Sequence, residues 1–200
     1  QYTHPDLAAN IWSNPGEIAG NGIDDDANGY VDDIRGWDFF SVDNNPDDTN
    51  GHGTFMAGLI AGRDSTLTAP YSSAPASVYR GIAPDARIVS LKVGVADGGV
   101  DVSQVIAAID WVVQHKNDNG LNIRIINLSY GTNSTQAAEV DPLSYAVEQA
   151  WKQGIVVVAA AGNTGYQRGA DAPGLANPAF NRYVIAVGGG AVLDVVGYAA

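Results

Sequence analysis

The apolar run Ile155-Val156-Val157-Val158-Ala159-Ala160-Ala161 constrains the fold of this chain more than any other stretch. It shows no alternation of apolar and polar side chains, so neither face of a strand formed here is suited to water. Uninterrupted apolar strands of this kind are typical of parallel sheets that are buried on both faces. The segment Tyr183–Val187 has a similar composition and predicts a second such strand. We therefore expect a parallel sheet covered by helices.

Amphipathic helices alternate with the strands along the chain. From Val102 to Lys116 the apolar residues fall on one helical face, which predicts a helix that covers a sheet. A second helix has Asp141 as its N-cap and Pro142 at its first position, and it stops at Gly154. Three further strands are predicted, over Ile34–Phe40, Ala86–Val93 and Ile123–Leu128. The expected architecture is α/β, a three-layer sandwich with a mainly parallel sheet.

Length and composition limit the partners that this chain can have. Its 200 residues, 46% of them hydrophobic, suffice for one domain with a substantial core. Ten basic and 22 acidic residues give a formal net charge of -12, which argues against binding to a nucleic acid. No apolar run is long enough to cross a bilayer, so we expect no membrane partner. The absence of cysteine excludes disulfides and a thiol nucleophile.

A histidine flanked by glycines lies in Asn50-Gly51-His52-Gly53-Thr54, directly before the apolar residues 55–62. The apolar residues predict a helix that begins at His52. An imidazole at the end of an element, with small neighbours that let a substrate backbone approach, is suited to be a general base. A structural role for this side chain is the alternative. The following residues 63–80, rich in Ser, Ala, Pro and Thr, are predicted to form a surface loop.

Residues 24–32 resemble the first half of a calcium-binding loop. Oxygen-bearing side chains stand at alternate positions, and the candidate metal ligands are Asp24, Asp26, Asn28, Tyr30 and Asp32. An EF-hand requires a glutamate at the twelfth position of the loop, where this chain has Arg35, so the segment is not a complete EF-hand. We expect a partial calcium site, because close carboxylates repel one another unless a cation or water screens them. A solvated acidic turn is the alternative.

Polar residues follow two of the predicted strands, at the edge where the chemistry of a parallel α/β sheet is found. The Asn163 amide could donate a hydrogen bond to a developing oxyanion, or it could cap a turn. Ser129 is a poor candidate for an α/β-hydrolase nucleophile, because Asn127 replaces the first glycine of the nucleophile elbow and no histidine follows. A zinc hydrolase is also disfavoured, because the histidines are scattered and form no His-Glu-x-x-His motif: His4, His52 and His115.

Several short motifs occur in a fixed order along nearly the whole chain. They are His4-Pro5-Asp6-Leu7, His52-Gly53-Thr54, Gly81-Ile82-Ala83-Pro84, Ile126-Asn127-Leu128-Ser129-Tyr130-Gly131, Val158-Ala159-Ala160-Ala161-Gly162-Asn163, and Asn177-Pro178-Ala179 with Val184-Ile185-Ala186-Val187-Gly188. Together and in this order they resemble the subtilisin-like serine peptidases, the subtilase family or peptidase S8. Coincidence is improbable for so many motifs in register. The resemblance implies a subtilisin-like fold.

The resemblance also implies roles for individual residues. His52 would be the base of an Asp-His-Ser triad, and Asn163 would be the donor of the oxyanion hole. Residues 129–131 would pair with the substrate as an added strand. The residues implied in substrate binding are Ser129, Tyr130 and Gly131, together with Ala160, Ala161 and Gly162 as walls of the pocket for the residue before the scissile bond. The family further implies a protein or peptide substrate, structural calcium, secretion and a monomer.

Parts of the family pattern are not found in this sequence. The aspartate motif would stand just upstream of Gln1, and no serine follows Asn163, so the nucleophile motif is missing as well. Phe55 replaces a second histidine that is common after His-Gly-Thr. We therefore expect residues 1–200 to be a single subtilisin-like domain, truncated at both ends, that does not hydrolyse peptides by itself. The alternative is a catalytically inactive relative that binds calcium or peptides.

Overall fold

The computed structural model describes residues 1–134, 136–163 and 175–188. Its elements in chain order are β1 (Gly36–Asp38), α1 (His52–Ala61), a short 3-10 helix (Tyr71–Ser73), β2 (Ser90–Lys92), α2 (Val102–His115), β3 (Ile125–Leu128), α3 (Pro142–Lys152), β4 (Val156–Ala160) and β5 (Val184–Val187). The chain divides into two compact units, one of residues 1–104 and one that begins at Val105. Each unit contains its own parallel sheet.

The sheet of the first unit is a parallel pair of β1 and β2. Gly36 lies opposite Ser90 and has a φ angle of +117°, and a Cβ atom on this residue would lie 1.9 Å from the Ser90 carbonyl oxygen. Only glycine fits so close an approach of the two backbones. Apolar residues buried in this unit include Leu7, Trp12 and Phe39.

An ion pair between a buried aspartate and a half-buried lysine links the two strands at their other end. The Lys92 ammonium donates a 2.8 Å hydrogen bond to the Asp38 carboxylate, whose residue is only 1% exposed. Burial by itself raises the pKa of Asp38, but hydrogen bonds from Lys92 and from the Ser41 and Phe40 amides outweigh it, so the pKa lies below its ordinary value. The charge of Asp38 is therefore satisfied inside the unit.

The sheet of the second unit has β4 at its centre, between β3 and β5. The register aligns Leu128 with Ala159 and Ala160 with Val187. The apolar run predicts burial of β4 on both faces, and this prediction is only partly right. Val157 and Ala159 are buried, whereas the alternate residues of the strand are half-buried. Burial depends on what packs against each face, which the absence of alternation in a sequence does not reveal.

Helices α2 and α3 bury the faces that their sequence patterns indicate. The residues that are buried on α2 are Val105, Ala108, Ile109, Trp111 and Val112. On α3 they include Leu143, Val147 and Ala150, and this helix packs against β4. Asp141 caps α3 as predicted, because its carboxylate accepts a 2.8 Å hydrogen bond from the Ser144 amide, and Pro142 occupies the first turn.

The predicted strands are all present, but they are shorter than expected. Regular pairing is confined to Gly36–Asp38 and Ser90–Lys92 in the first unit, although the apolar patterns extend over 34–40 and 86–93. Apolar residues continue beyond the last ladder hydrogen bond, so pattern alone overestimates strand length. The strands that flank α2 belong to different sheets.

Within the described ranges, no helix combines the length and apolar character that a bilayer crossing needs.

We predict that Asp141→Ala lowers the free energy of unfolding by about 1 kcal/mol, the usual cost of removing an N-cap. Glu148→Ala on the same helix is the control: it removes a partly exposed i,i+4 ion pair with Lys152 at 3.0 Å and should cost only about 0.3–0.5 kcal/mol. Urea unfolding of the two variants measures both values. An equal loss in the two would contradict the capping role of Asp141.

Candidate functional site

His52 is the first residue of α1, and its side chain is exposed. The residue before it, Gly51, adopts a left-handed conformation with a φ angle of +98° and offers no side chain to cap the helix. Asn50 holds the backbone of the histidine: its Oδ1 accepts a 3.3 Å hydrogen bond from the His52 amide, and its Nδ2 donates a 2.9 Å bond to the Ala96 carbonyl. The imidazole is therefore accessible on a fixed helix end, as a general base requires.

Asp48 takes the place of a helix cap. One oxygen of its carboxylate accepts hydrogen bonds from the Asn50 and Gly51 amides, at 2.8 and 2.7 Å. The other oxygen accepts from the amide and the hydroxyl of Thr54, at 2.8 and 2.7 Å. The sequence patterns considered above do not single out Asp48. The position of this aspartate near the start of a predicted helix could have identified it as a capping residue. Only the fold shows that its carboxylate accepts hydrogen bonds from backbone amides before and after the histidine.

The residues after β3 and β4 lie in the second unit. Leu128 pairs with Ala159, and because parallel neighbours end at the same edge of a sheet, residues 129–131 and 160–162 start from adjacent positions. Ser129 and Tyr130 are half-buried, and the side-chain amide of Asn127 donates a 3.0 Å hydrogen bond to the Ser129 hydroxyl. The tertiary structure thus brings together the two segments that the sequence predicts for substrate binding.

Gly131 and Gly162 both lie against Ala176. A Cβ atom on Gly131 would be 2.9 Å from the Ala176 methyl group, and one on Gly162 would be 3.2 Å from it. Backbone hydrogen bonds support the contact, because the Ala176 amide donates to the Ala161 carbonyl at 2.9 Å. Sequence patterns missed Ala176, since no periodicity or motif predicts which loop residue packs between two distant glycines.

The remaining residues predicted for this edge differ in exposure. Ala160 is half-buried and Ala161 is buried, so its methyl group faces the protein interior. Asn163 is exposed and directly follows Gly162, which has a φ angle of +109°. An exposed amide after a glycine with this conformation is accessible to a bound substrate.

The acidic segment brings together three carboxylates. Ligand oxygens of Glu17, Asp24 and Asp26 all lie within 4.8 Å of one another, and Glu17 is buried. Glu17 was missed by the sequence pattern because it precedes the loop by seven positions. Its Oε1 accepts hydrogen bonds from the Asp25 and Asp26 amides, at 2.8 and 3.1 Å, which fixes it beneath the loop. Calcium prefers oxygen ligands of this kind, so the donor set fits the ion.

Three other predicted ligands make different contacts. Both oxygens of the Asp32 carboxylate accept backbone hydrogen bonds, from Gly20, Asn21 and Gly22 at 2.7 to 3.2 Å. The Tyr30 ring packs edge to face against Trp37, with 5.1 Å between the ring centroids. The Asn28 side chain donates to Asp26 and Asp33. Asp32 thus binds the loop backbone, as Asp24 does through the Asn28 and Gly29 amides, and the carboxylates that lie together are those of Glu17, Asp24 and Asp26.

Asp33 directly follows the acidic residues 24–32 in the chain. The residue is fully buried, and burial raises the pKa of its carboxyl to about 6, with further contributions from the negative charges of Asp26 and Glu17. The side-chain amides of Asn14 and Asn28 donate hydrogen bonds that lower the pKa of Asp33, but by less than burial raises it. Burial is thus the main cause of the raised pKa of Asp33, and the charges of Asp26 and Glu17 add a smaller part.

Comparison with solved structures gives the class of fold. Sphericase aligns over 92% of this chain and 48% of its own, with a TM-score of 0.64 and 28% sequence identity. The predicted α/β, subtilisin-like fold is therefore confirmed. The sequence model of the Subtilase family, peptidase S8, matches residues 1–191. The chain belongs to the subtilase family, which confirms the resemblance seen in its motifs.

Similar curated proteins are peptidases by name. The chain is 36% identical over 146 residues to serine protease AprX of Bacillus subtilis (strain 168), a match that covers 72% of this chain and 30% of AprX. It is 36% identical over 155 residues to subtilisin DY of Bacillus licheniformis, which covers 78% of this chain and 48% of that protein. The matches thus span about a third to a half of these relatives.

We predict that Gly131→Ala destabilises the second unit, because the new methyl group would meet the Ala176 methyl at 2.9 Å. Overpacking of this kind typically costs about 1–3 kcal/mol. The double variant Gly131→Ala with Ala176→Gly removes the opposing methyl group and should recover most of the loss. Urea unfolding of the two single variants and the double variant gives their coupling energy. Strictly additive effects would show that the two residues do not meet.

Proposed function

We propose that residues 1–200 belong to a serine endopeptidase in which His52 is the general base and Asn163 is the oxyanion donor. The observation that carries the proposal is the exposed His52 at the first position of α1, within the motif Gly51-His52-Gly53-Thr54 of a chain that belongs to the subtilase family. The name of AprX, a serine protease, supports the class of reaction.

In the proposed reaction, a serine hydroxyl attacks the carbonyl carbon of the scissile peptide bond while His52 takes the hydroxyl proton. The carbonyl oxygen becomes an oxyanion and accepts a hydrogen bond from the Asn163 amide. His52 then gives the proton to the leaving amine as the C–N bond breaks, and water hydrolyses the acyl-enzyme by the same steps. The family's aspartate and serine motifs are not within residues 1–200, so tests of hydrolysis need a polypeptide that carries them.

The proposed substrate is a protein or peptide that lies along the edge where β3 and β4 end. Residues Ser129, Tyr130 and Gly131 would pair with its backbone as an added strand. Parallel pairing of β3 with β4 supports this, because the two strands end at one edge of the sheet, and a Cβ atom on Gly131 would lie 3.8 Å from the Ala160 carbonyl oxygen. The small residues of this edge leave room for a large substrate side chain. Secretion and a monomeric state belong to the same proposal and rest on the family alone.

We predict that Asn163→Ala, in a polypeptide with a complete triad, lowers kcat about 10²–10³-fold with little change in KM, because the donor acts on the oxyanion and not on the bound substrate. This magnitude comes from a subtilisin, a member of the same family, and is carried over. Asn117→Ala, at an exposed position after α2, is the matched control and should retain full activity. Steady-state kinetics on a peptide anilide measure both variants.

Three results would go against the proposal. An unchanged kcat in Asn163→Ala would remove Asn163 from the mechanism, and retained hydrolysis in His52→Ala would remove the general base. If the complete polypeptide with both residues intact hydrolyses no peptide and does not react with a serine-directed phosphonate, the second candidate is favoured. That candidate is an inactive relative that binds calcium or peptides, and the grouped carboxylates of residues 17–26 are the observation in its favour.

We further propose that the acidic segment binds a structural calcium ion. Asp24, Asp26 and Glu17 would supply carboxylate oxygens, and the ion would offset the mutual repulsion of these close carboxylates. When bound, the ion would hold residues 17–26 together as a cross-link between oxygen ligands. Calcium would have a structural role and take no part in peptide hydrolysis.

We predict that calcium at 100 times its dissociation constant stabilises the chain by about 2.7 kcal/mol, because it binds the folded form and not the unfolded one. Asp24→Asn should abolish most of this gain, whereas Asp110→Asn, an equal charge change on the exposed side of α2, should leave it intact. Thermal unfolding with added Ca²⁺ or Mg²⁺, after treatment with a chelator, measures the shift. A solvated acidic turn would give no calcium-specific shift in any variant.

A further inference from the structure

The start of α1 has an unusual arrangement of hydrogen bonds. The first amide groups of a helix lack partners within it and are normally satisfied by a side chain at the N-cap. Here the N-cap is Gly51, whose φ angle of +98° disfavours residues with a side chain, so the usual solution is not open to this helix. A side chain outside the helix must therefore satisfy these amides.

Asp48 supplies the acceptor for the Thr54 amide of α1, while Asn50 accepts from the His52 amide. Its carboxylate accepts from the Asn50 and Gly51 amides on one oxygen and from the Thr54 amide and hydroxyl on the other. These donors lie on both sides of His52 in the sequence. One rigid group thus fixes the backbone before and after the histidine, and with it the direction of the bond that carries the imidazole.

The protonation state of Asp48 agrees with this geometry. Burial alone raises the pKa of its carboxyl, but the four hydrogen bonds from Thr54, Gly51 and Asn50 lower it more, and the pKa lies below its ordinary value. The carboxylate is therefore ionised at neutral pH, and both of its oxygens remain acceptors. A negative charge at this place also suits the positive end of the α1 dipole.

We propose that Asp48 is a positioning residue that fixes the orientation of the His52 imidazole for proton transfer. The inference rests on the proposed function of His52 and extends it to a side chain that does not touch the reacting atoms. Positioning matters because a misplacement of about 1 Å at a reacting group can cost about 10²-fold in rate. Asp48 acts through the helix start, so its effect should fall on kcat and not on substrate binding.

The matched control is Asp101, which has the same local chemistry elsewhere. Its carboxylate accepts from the amide and the hydroxyl of Ser103, at 2.8 and 2.7 Å, next to the start of α2. Asp101→Ala therefore removes an equivalent pair of hydrogen bonds without affecting α1. Asp48→Asn provides a graded change, because it keeps one oxygen for the Asn50 and Gly51 amides and loses the second acceptor that Thr54 needs.

The first experiment uses residues 1–200 and does not depend on hydrolysis. In Asp48→Ala, hydrogen exchange of the Thr54 amide should be about tenfold faster, and the ring signals of His52 in NMR spectra should broaden as the imidazole samples more than one orientation. Asp48→Asn should lie between this variant and the unchanged protein. If Asp48→Ala and Asp101→Ala leave the exchange of Thr54 and the ring signals of His52 equally unchanged, the proposal is overturned.

The second experiment uses a polypeptide that carries a complete triad. Asp48→Ala should lower kcat by about 10²-fold with KM nearly unchanged, and titration of active sites with a serine-directed phosphonate should show the same number of folded sites. A lower number of sites with an unchanged rate per site would mean that Asp48 only stabilises the fold, and would overturn the proposal. Retained activity in His52→Ala would instead overturn the function proposed for His52, while the NMR result for Asp48 would stand.

Discussion

The parallel hydrogen bonding of β4 to both of its neighbours determines the geometry of the second unit. Because β3 and β4 run in the same direction in a fixed register, Leu128 lies beside Ala159, and the segments that follow leave the sheet at one edge. The close contacts of Gly131 and Gly162 with Ala176 depend on this register. A shift by one residue would turn every side chain of β4 to the other face. The candidate substrate edge thus follows from backbone pairing before any side chain is considered.

Satisfaction of backbone polar groups also explains the less regular parts of the chain. The start of α1 has a glycine where a capping side chain is usual, and Asp48 and Asn50 accept from the Thr54 and His52 amides instead. In the acidic segment, Asp32 serves in the same way by accepting from the amides of residues 20–22. Asp24 also accepts from backbone amides, those of Asn28 and Gly29, and it is in addition grouped with Glu17 and Asp26, whose like charges a cation would offset.

Predictions from the sequence differ in quality for physical reasons. The helices and the order of the strands were predicted well, because apolar periodicity and caps such as Asp141 act over a few residues. Strand length and the burial of β4 were predicted less well, since both depend on what packs against the strand. Asp24 and Asp26 lie together as the calcium-loop pattern suggests, and Glu17 joins them, because the fold of the loop decides which carboxylates meet.

The sequence by itself determined the family, the α/β class and the candidate site residues His52 and Asn163, because motifs and local patterns involve residues that are close together in the sequence. Only the tertiary structure decided that Ala176 lies between two glycines and that Glu17 reaches the acidic loop. It also showed that Asp48 binds amides on both sides of His52. These contacts join residues whose spacing follows no period. The positions of these residues depend on the path of the chain and on which backbone groups need a hydrogen-bond partner. Packing and hydrogen bonding determine the chain path and the partners only when the whole unit folds.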